Sequence, residues 1–235
     1  MSGTALGAVE RVACYPVKSL RGRWSGHVRI TDLGVEHDRS YAVYGQDGKI
    51  ASGKTTRRFR RMPHLLDLQA WAEEGAVYVG LLNAWTFPAT DPAAWKAVSE
   101  VVGEPIEIRR EAGVAHKDVA PLHLMTTASL RWAAALRPGF DDAAARFRPN
   151  VVIGVEGTDR TEDDWVGRRL QVGACVFRVT QRVERCVMPT LAQDGLPFLP
   201  GLLAALTTES DACLGVYAEV EVPGDISLGD RVAFA

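Results

Sequence analysis

Cys186 stands in Arg185-Cys186-Val187-Met188-Pro189, downstream of Arg146-Phe147-Arg148-Pro149-Asn150. Neighbouring guanidinium groups favour a thiolate, and a thiolate is both the ligand a soft metal takes and the nucleophile that carries sulfur. Arg182 and Arg185 are the cations expected to keep it deprotonated. A second pattern points elsewhere: Gly48-Lys49-Ile50-Ala51-Ser52-Gly53-Lys54-Thr55 satisfies the G-x-x-x-x-G-K-[ST] phosphate loop letter for letter. That motif needs a buried strand leading in and a long helix leading out, so that backbone N–H groups cradle the phosphates. Here Gly48 belongs to a hairpin turn, residues 49–53 read as the return strand and Pro63 cuts any helix short, so nucleotide hydrolysis is not expected. The basic run Arg57-Arg58-Phe59-Arg60-Arg61 reads as a solvated face or part of a cofactor or partner surface, where an acidic electron donor could dock. No nucleophile elbow, dinucleotide fingerprint or paired-histidine motif occurs. His27, His37, His64, His116 and His123 are scattered and read as surface or hydrogen-bonded side chains, and Glu162-Asp163-Asp164 before Trp165 reads as a solvated loop.

Composition limits what these residues can serve. With 235 residues, 47% hydrophobic and 24% charged, the chain has the usage of a globular protein able to bury one large core or two small ones. A net charge of -2 gives no broad electrostatic footprint for nucleic acid. Cys14, Cys175, Cys186 and Cys213 show no C-x-x-C spacing, so neither a disulfide framework nor a structural zinc site is expected. Cys14, Cys175 and Cys213 lie in or beside apolar strand patterns and read as core. The amino terminus lacks a basic region followed by an apolar run, and no stretch of about eighteen apolar residues occurs, so a cytoplasmic protein without a membrane segment is expected.

The elements that must position these groups are mostly short strands. Residues 6–17 and 27–33 read as strands, and residues 40–44 and 49–52 flank Gln46-Asp47-Gly48 as a hairpin. Further strands are predicted at 76–82 and 105–109. One helix is well signalled, with Asp91 as N-cap, Pro92 at its first position, Trp95 and Val98 on its apolar face and Gly103 past its end. A connection near residue 111 opens a second unit, in which Thr127 caps a helix over 128–136 that closes at Arg137-Pro138-Gly139. Strands at 151–155, 168–172, 176–181, 215–222 and 231–235, separated by turns at Gly173, Pro223-Gly224 and Gly229-Asp230, predict a barrel or sandwich. The expected division is therefore residues 1–110 and 111–235, in an α+β, β-rich chain with a few short helices.

Several motifs then occur in a fixed order: residues 15–22 (YPVKSLRG), 34–41 (GVEHDRSY), Arg146 to Asn150, Arg185-Cys186 and Leu214-Gly215-Val216-Tyr217. Over nearly its whole length the chain resembles the MOSC-domain proteins with an N-terminal MOSC-type β-barrel extension, and by pattern their amidoxime-reducing group of molybdenum-cofactor enzymes. The resemblance implies a MOSC-like β-barrel and a molybdenum held by molybdopterin, with Cys186 as the protein's metal ligand. It also implies that Lys18, Ser19 and Arg39 hold the cofactor's phosphate, to which a lysine point charge, a hydroxyl and a forked guanidinium are suited. Thr126, Thr127 and Ser129, at the start of a predicted helix, are expected to add an anion-favouring N-terminus. Arg148, Asn150 and Arg185 are expected along the cofactor and Tyr217 near the metal. The implied function is reduction of small N-hydroxylated compounds (hydroxylamines, amidoximes), with electrons from a separate donor protein. Two rival roles remain open: Cys186 as a persulfide-bearing sulfur carrier in cofactor maturation, or a non-catalytic cofactor carrier.

Overall fold

The computed structural model describes residues 5–136, 144–193 and 195–235. The expected helix end at Arg137-Pro138-Gly139 lies outside them. Its largest sheet runs, in spatial order, through Val151–Gly154, Leu122–Thr126, Cys213–Val222, Cys175–Glu184, Arg169–Val172, Arg231–Phe234, Ala5–Cys14 and Arg23–Ser25. Ala5–Cys14 pairs antiparallel with Arg231–Phe234 and also with Val151–Gly154, so the sheet returns on itself as a closed barrel. Closure removes the unpaired edges an open sheet would present. Inside lie Val9, Val12, Leu122, Leu124, Ile153, Phe177, Val179, Val216 and Val232, joined by Trp165. Val12, Leu122, Phe177 and Val216 are each 0% exposed, and burying a side chain of this kind stabilises by about 1.5–3 kcal/mol.

A second β-rich unit sits beside the barrel. Tyr41–Gly45 is central, with Ile106–Arg110 antiparallel to it, Val17–Lys18 parallel to it and Ile50–Ser52 across the expected hairpin; Phe59–Arg61 then pairs parallel with Ile50–Ser52. Gln69–Glu73, Ala76–Leu81 and Trp85–Pro88 form a separate meander. The helix Pro92–Val102 covers this unit's core with Ala94, Val98 and Val102. It starts and stops as its sequence dictates: Asp91 accepts a hydrogen bond from the Ala93 N–H at 2.8 Å, and Gly103 adopts φ 79 at the end.

Two expectations change. The strand predicted over 6–17 ends at Cys14; Tyr15 donates its N–H to Asp38 Oδ1, and after Pro16 the chain crosses to the other sheet as Val17–Lys18. Strand pairings cross the boundary at residue 110. Ala5–Cys14 is a stave of the barrel, Arg23–Ser25 extends the same sheet beside it, and His27–Thr31 pairs with Gly224–Ser227. The helix Thr127–Leu136 is capped one residue earlier than predicted: Thr126 Oγ1 accepts from the Ser129 N–H at 3.0 Å, because Thr127 Oγ1 is engaged with Val155 N and O. No helix among the described residues is long and apolar enough to cross a membrane.

A fragment beginning at residue 111 lacks one stave of the barrel. It is expected to show no cooperative thermal transition by circular dichroism, whereas the full chain melts in one; a cooperative melt of the fragment would contradict the closure described above.

Candidate functional site

A cavity of about 490 Å³ opens between the barrel and the second unit, within the range of small-ligand sites. Its walls come from segments far apart in sequence: Lys18, Ser19 and Arg39; Lys54, Arg58 and Phe59; Lys117 to Ala120; His123; Arg146 to Arg148 with Asn150; and Gln181, Val183 to Cys186, Met188, Pro189 and Tyr217.

Phe59, buried in the second unit, carries cations around its ring: Lys18 Nζ at 4.9 Å from the centroid, Lys54 Nζ at 5.1 Å and the Arg58 guanidinium at 4.4 Å. One carboxylate answers them. Asp118 lies 3.1 Å from Lys18 Nζ, 3.6 Å from Lys54 Nζ and 3.7 Å from Arg58 Nη2. Lys18 is only 6% exposed, and burial pulls its pKa down to about 8 although Asp118 pulls it up. Asp118 is held below the usual carboxylate range: burial opposes its charge, but Lys18 and Lys54 outweigh it. Ser19 follows in a left-handed turn at φ 67.

A second pair of cations meets on Tyr15. Arg39 and Arg148 lie 4.6 Å and 4.3 Å from its ring centroid. Arg39 pairs directly with buried Asp38, which outweighs the desolvation of its guanidinium and keeps it charged. It also donates to the Arg148 carbonyl at 3.3 Å. Arg148 donates to the Leu20 carbonyl at 2.6 Å, and burial followed by the Arg39 charge lowers its pKa to about 10. Asn150 Oδ1 accepts from the His123 N–H at 3.1 Å and from Arg39 at 3.5 Å, while Nδ2 donates to the Ala13 carbonyl at 3.3 Å.

Cys186 follows the barrel strand Cys175–Glu184, is half-buried and lines the cavity. Arg185 beside it is engaged with the barrel: it donates to Leu214 O at 2.8 Å, Phe147 O at 3.2 Å and His123 Nε2 at 2.7 Å. Because Arg185 can only donate, His123 Nε2 is the acceptor and Nδ1 carries the proton, shared with Arg148 O at 3.3 Å. Burial and then Arg185 push the His123 pKa well down, consistent with a neutral ring. Tyr217 packs edge-on against His123 at 6.0 Å, and burial followed by the Asp118 charge raises its phenol pKa, so it keeps its proton at neutral pH.

The predicted site residues divide accordingly. Lys18, Ser19, Arg39, Arg148, Asn150, Arg185, Cys186 and Tyr217 line this cavity. Thr126, Thr127 and Ser129 do not. Thr126 and Ser129 hydroxyls each donate to Glu162 Oε2 at 2.6 Å. That corrects the reading of Glu162 as solvated: it is 0% exposed, and its desolvation raises its pKa. Arg182 turns from Cys186 toward Asp211 at 3.5 Å and Asp163 at 3.8 Å. Arg60 likewise leaves the basic run to pair with Glu104. The phosphate-loop pattern has the wrong surroundings, since Ile50–Ser52 is the return arm of a hairpin and Lys54 is followed by bends and another strand rather than a helix. Even so, Lys54 reaches the cavity. Sequence reasoning missed Asp118 and His123 and gave Lys54 no place here, while Arg58 and Phe59 come from the basic run read as a solvated face or a cofactor or partner surface; Lys54 was visible only inside a motif rejected on its surroundings, and Asp118 lay in an unpatterned connection.

Comparison with known families gives a MOSC domain over residues 112–233 and a MOSC N-terminal beta barrel domain over residues 6–84. No curated protein matches the chain. Among solved structures, the YUAD protein of Bacillus subtilis is similar over 96% of this chain and 93% of its own, at 13% identity and a TM-score of 0.53, a likeness of fold. YiiM from Geobacillus stearothermophilus is similar over 49% of this chain and 54% of its own, at 18% identity and a TM-score of 0.40.

Asn150→Ala removes buried hydrogen bonds joining Ala13, His123 and Arg39, and is expected to cost about 3 kcal/mol of stability in urea unfolding; a loss under about 1 kcal/mol would contradict the role given to this amide. Lys18 is charged below about 8 and neutral above it, so anion affinity is expected to fall as pH rises from 7 to 9.5. Calorimetric titration with inorganic phosphate checks this, and Lys18→Arg is expected to flatten the profile.

Proposed function

The chain belongs to the MOSC-domain family, and from that premise we propose that its cavity holds a molybdenum-bearing pterin phosphate and that the loaded protein reduces small N-hydroxylated compounds. Molybdenum-cofactor binding is the general association of the family. The observation that carries the reading is that one cavity of about 490 Å³ is lined both by the Cys186 thiol and by a buried cluster of cations. The donor set fits such a ligand. Sulfur suits a soft metal, and desolvated lysine and arginine suit a phosphate. Among the described residues no group of three or more His, Cys, Asp or Glu could hold a metal, so a metal on Cys186 would draw its remaining ligands from the pterin's sulfurs.

In this reading Cys186 ligates the metal, and Lys18, Ser19 and Arg39 hold the phosphate. Arg148, Asn150 and Arg185 have their polar atoms engaged with Leu20, Ala13 and Leu214, so they act by fixing the walls against which the pterin lies. When bound, the cofactor supplies a two-electron reductant for cleaving an N–O bond. Tyr217, protonated at neutral pH, offers an O–H donor to the oxygen of an N–OH group. Met188, Pro189 and Val183 give that wall an apolar surface for the rest of the substrate. Electrons come from a separate protein.

Expression in a host that makes molybdopterin is expected to give about one molybdenum per chain by elemental analysis, lost in Cys186→Ala, and benzamidoxime reduction with an artificial electron donor. Stoichiometric metal without reduction of any N–OH compound would leave a cofactor carrier. A persulfide mass shift on Cys186 in metal-free protein would assign sulfur transfer instead.

A further inference from the structure

Asp118 is surrounded in the manner of a bound anion. Its carboxylate is within 3.1 to 3.7 Å of nitrogens on Lys18, Lys54 and Arg58, all gathered on the Phe59 ring. Lys18 is almost fully buried, and a desolvated ammonium needs a counter-charge. We infer that Lys54 and Arg58 complete, with Lys18, the binding site of the ligand's phosphate monoester, and that in the free protein the Asp118 carboxylate fills it, so that ligand entry exchanges one anion for the other. This rests on the reading of the cavity as a site for a phosphate-bearing cofactor.

The two anions cannot share the cluster. A phosphate dianion within about 4 Å of a carboxylate is repelled by it, and both would compete for the same Lys18, Lys54 and Arg58 nitrogens. It also presents more negative charge and more acceptor oxygens to the same cations than a carboxylate does, so the exchange favours it. The chain lets Asp118 leave without unfolding its surroundings. Immediately before it, the buried His116 ring is held by Tyr44 Oη at 3.0 Å and Arg39 O at 3.1 Å, and Lys117 Nζ donates to Leu33 O at 2.7 Å. Immediately after it, Val119 is 61% exposed, and regular pairing resumes only at Leu122–Thr126. The Asp118 side chain is itself 44% exposed, so rotating it outward disturbs neither anchor. Lys54 and Arg58 are 25% and 36% exposed, which leaves them reachable from the cavity mouth.

Calorimetric titration of the full-length, cofactor-free chain with inorganic phosphate tests the exchange. Asp118→Asn, which keeps the shape and removes the competing charge, is expected to bind phosphate about tenfold more tightly than the parent. Lys54→Gln, at a partly exposed position, is expected to bind it about tenfold more weakly. The Asp118→Asn protein is also expected to melt at lower temperature than the parent without phosphate and to recover when phosphate is added, the signature of cations left without a partner. Unchanged or weaker phosphate binding in Asp118→Asn, or unchanged binding in Lys54→Gln, would overturn the inference. Should Asp118→Asn fail to fold, the Lys54→Gln arm decides it. Phosphate binding that persists in cofactor-loaded protein would also overturn it, since the cofactor's own phosphate is then elsewhere. These titrations on metal-free protein need no molybdenum, so a protein that never takes up metal leaves the exchange measurable. A flat titration, in turn, leaves the Cys186 metal assignment standing.

Discussion

The Asn150 amide is the constraint on which the rest of the site depends. Its oxygen accepts from the His123 backbone and the Arg39 guanidinium, and its nitrogen donates to Ala13, so one side chain ties two barrel strands to an arginine from outside the barrel. The backbone agrees with it: Ala13 N bonds Asn150 O and Asn150 N bonds His123 O, both at 2.8 Å. Pro149 removes a donor at the point where the chain turns from a left-handed Arg148, φ 55, into the strand Val151–Gly154. Buried polar groups cost stability unless satisfied, and here each satisfied group also fixes a wall of the cavity.

Around that junction the protein keeps several cations out of bulk water by different devices. Arg39 is neutralised by Asp38, Arg148 donates to the Leu20 carbonyl, Arg185 to the Leu214 and Phe147 carbonyls and His123, and Lys18 leans on Phe59 and Asp118. The first arrangement is permanent because Asp38 is itself buried; the last is open to solvent at Asp118. A neutral His123 under Arg185 serves the same end, accepting a hydrogen bond without adding charge. The cavity therefore has a rigid floor and an electrostatically adjustable side.

What could be read from the sequence was whatever is encoded locally. The helix Pro92–Val102 carries its own start and stop in Asp91, Pro92 and Gly103, and the hairpin after Tyr41–Gly45 carries its turn in Asp47-Gly48. Cys186, Lys18 and Arg39 were found through ordered motifs that encode a family pattern. The failures are non-local. Nothing near Cys14 says that the chain there leaves one sheet for another, because the decision is made by Asp38 and by partners more than a hundred residues away. Glu162 looked solvated because its apolar surroundings and the Thr126 and Ser129 hydroxyls arrive from another segment. The same hydroxyls looked free for an anion for the same reason. Arg182 lies between the cavity-lining Gln181 and Val183 on its strand and so faces away from the cavity, a matter of pleat and register that charge content alone cannot report.

The first strand, Ala5–Cys14, has its neighbours at Val151–Gly154 and Arg231–Phe234. During synthesis this segment leaves the ribosome before either neighbour exists. With Val9, Val12 and Ala13 destined for the interior, it presents an unpaired, half-apolar ribbon until Arg231–Phe234 emerges. Barrel assembly is thus deferred until Arg231–Phe234 has been made, and the interval before closure is when the nascent chain is most open to holding by chaperones or to pairing with a second copy of itself.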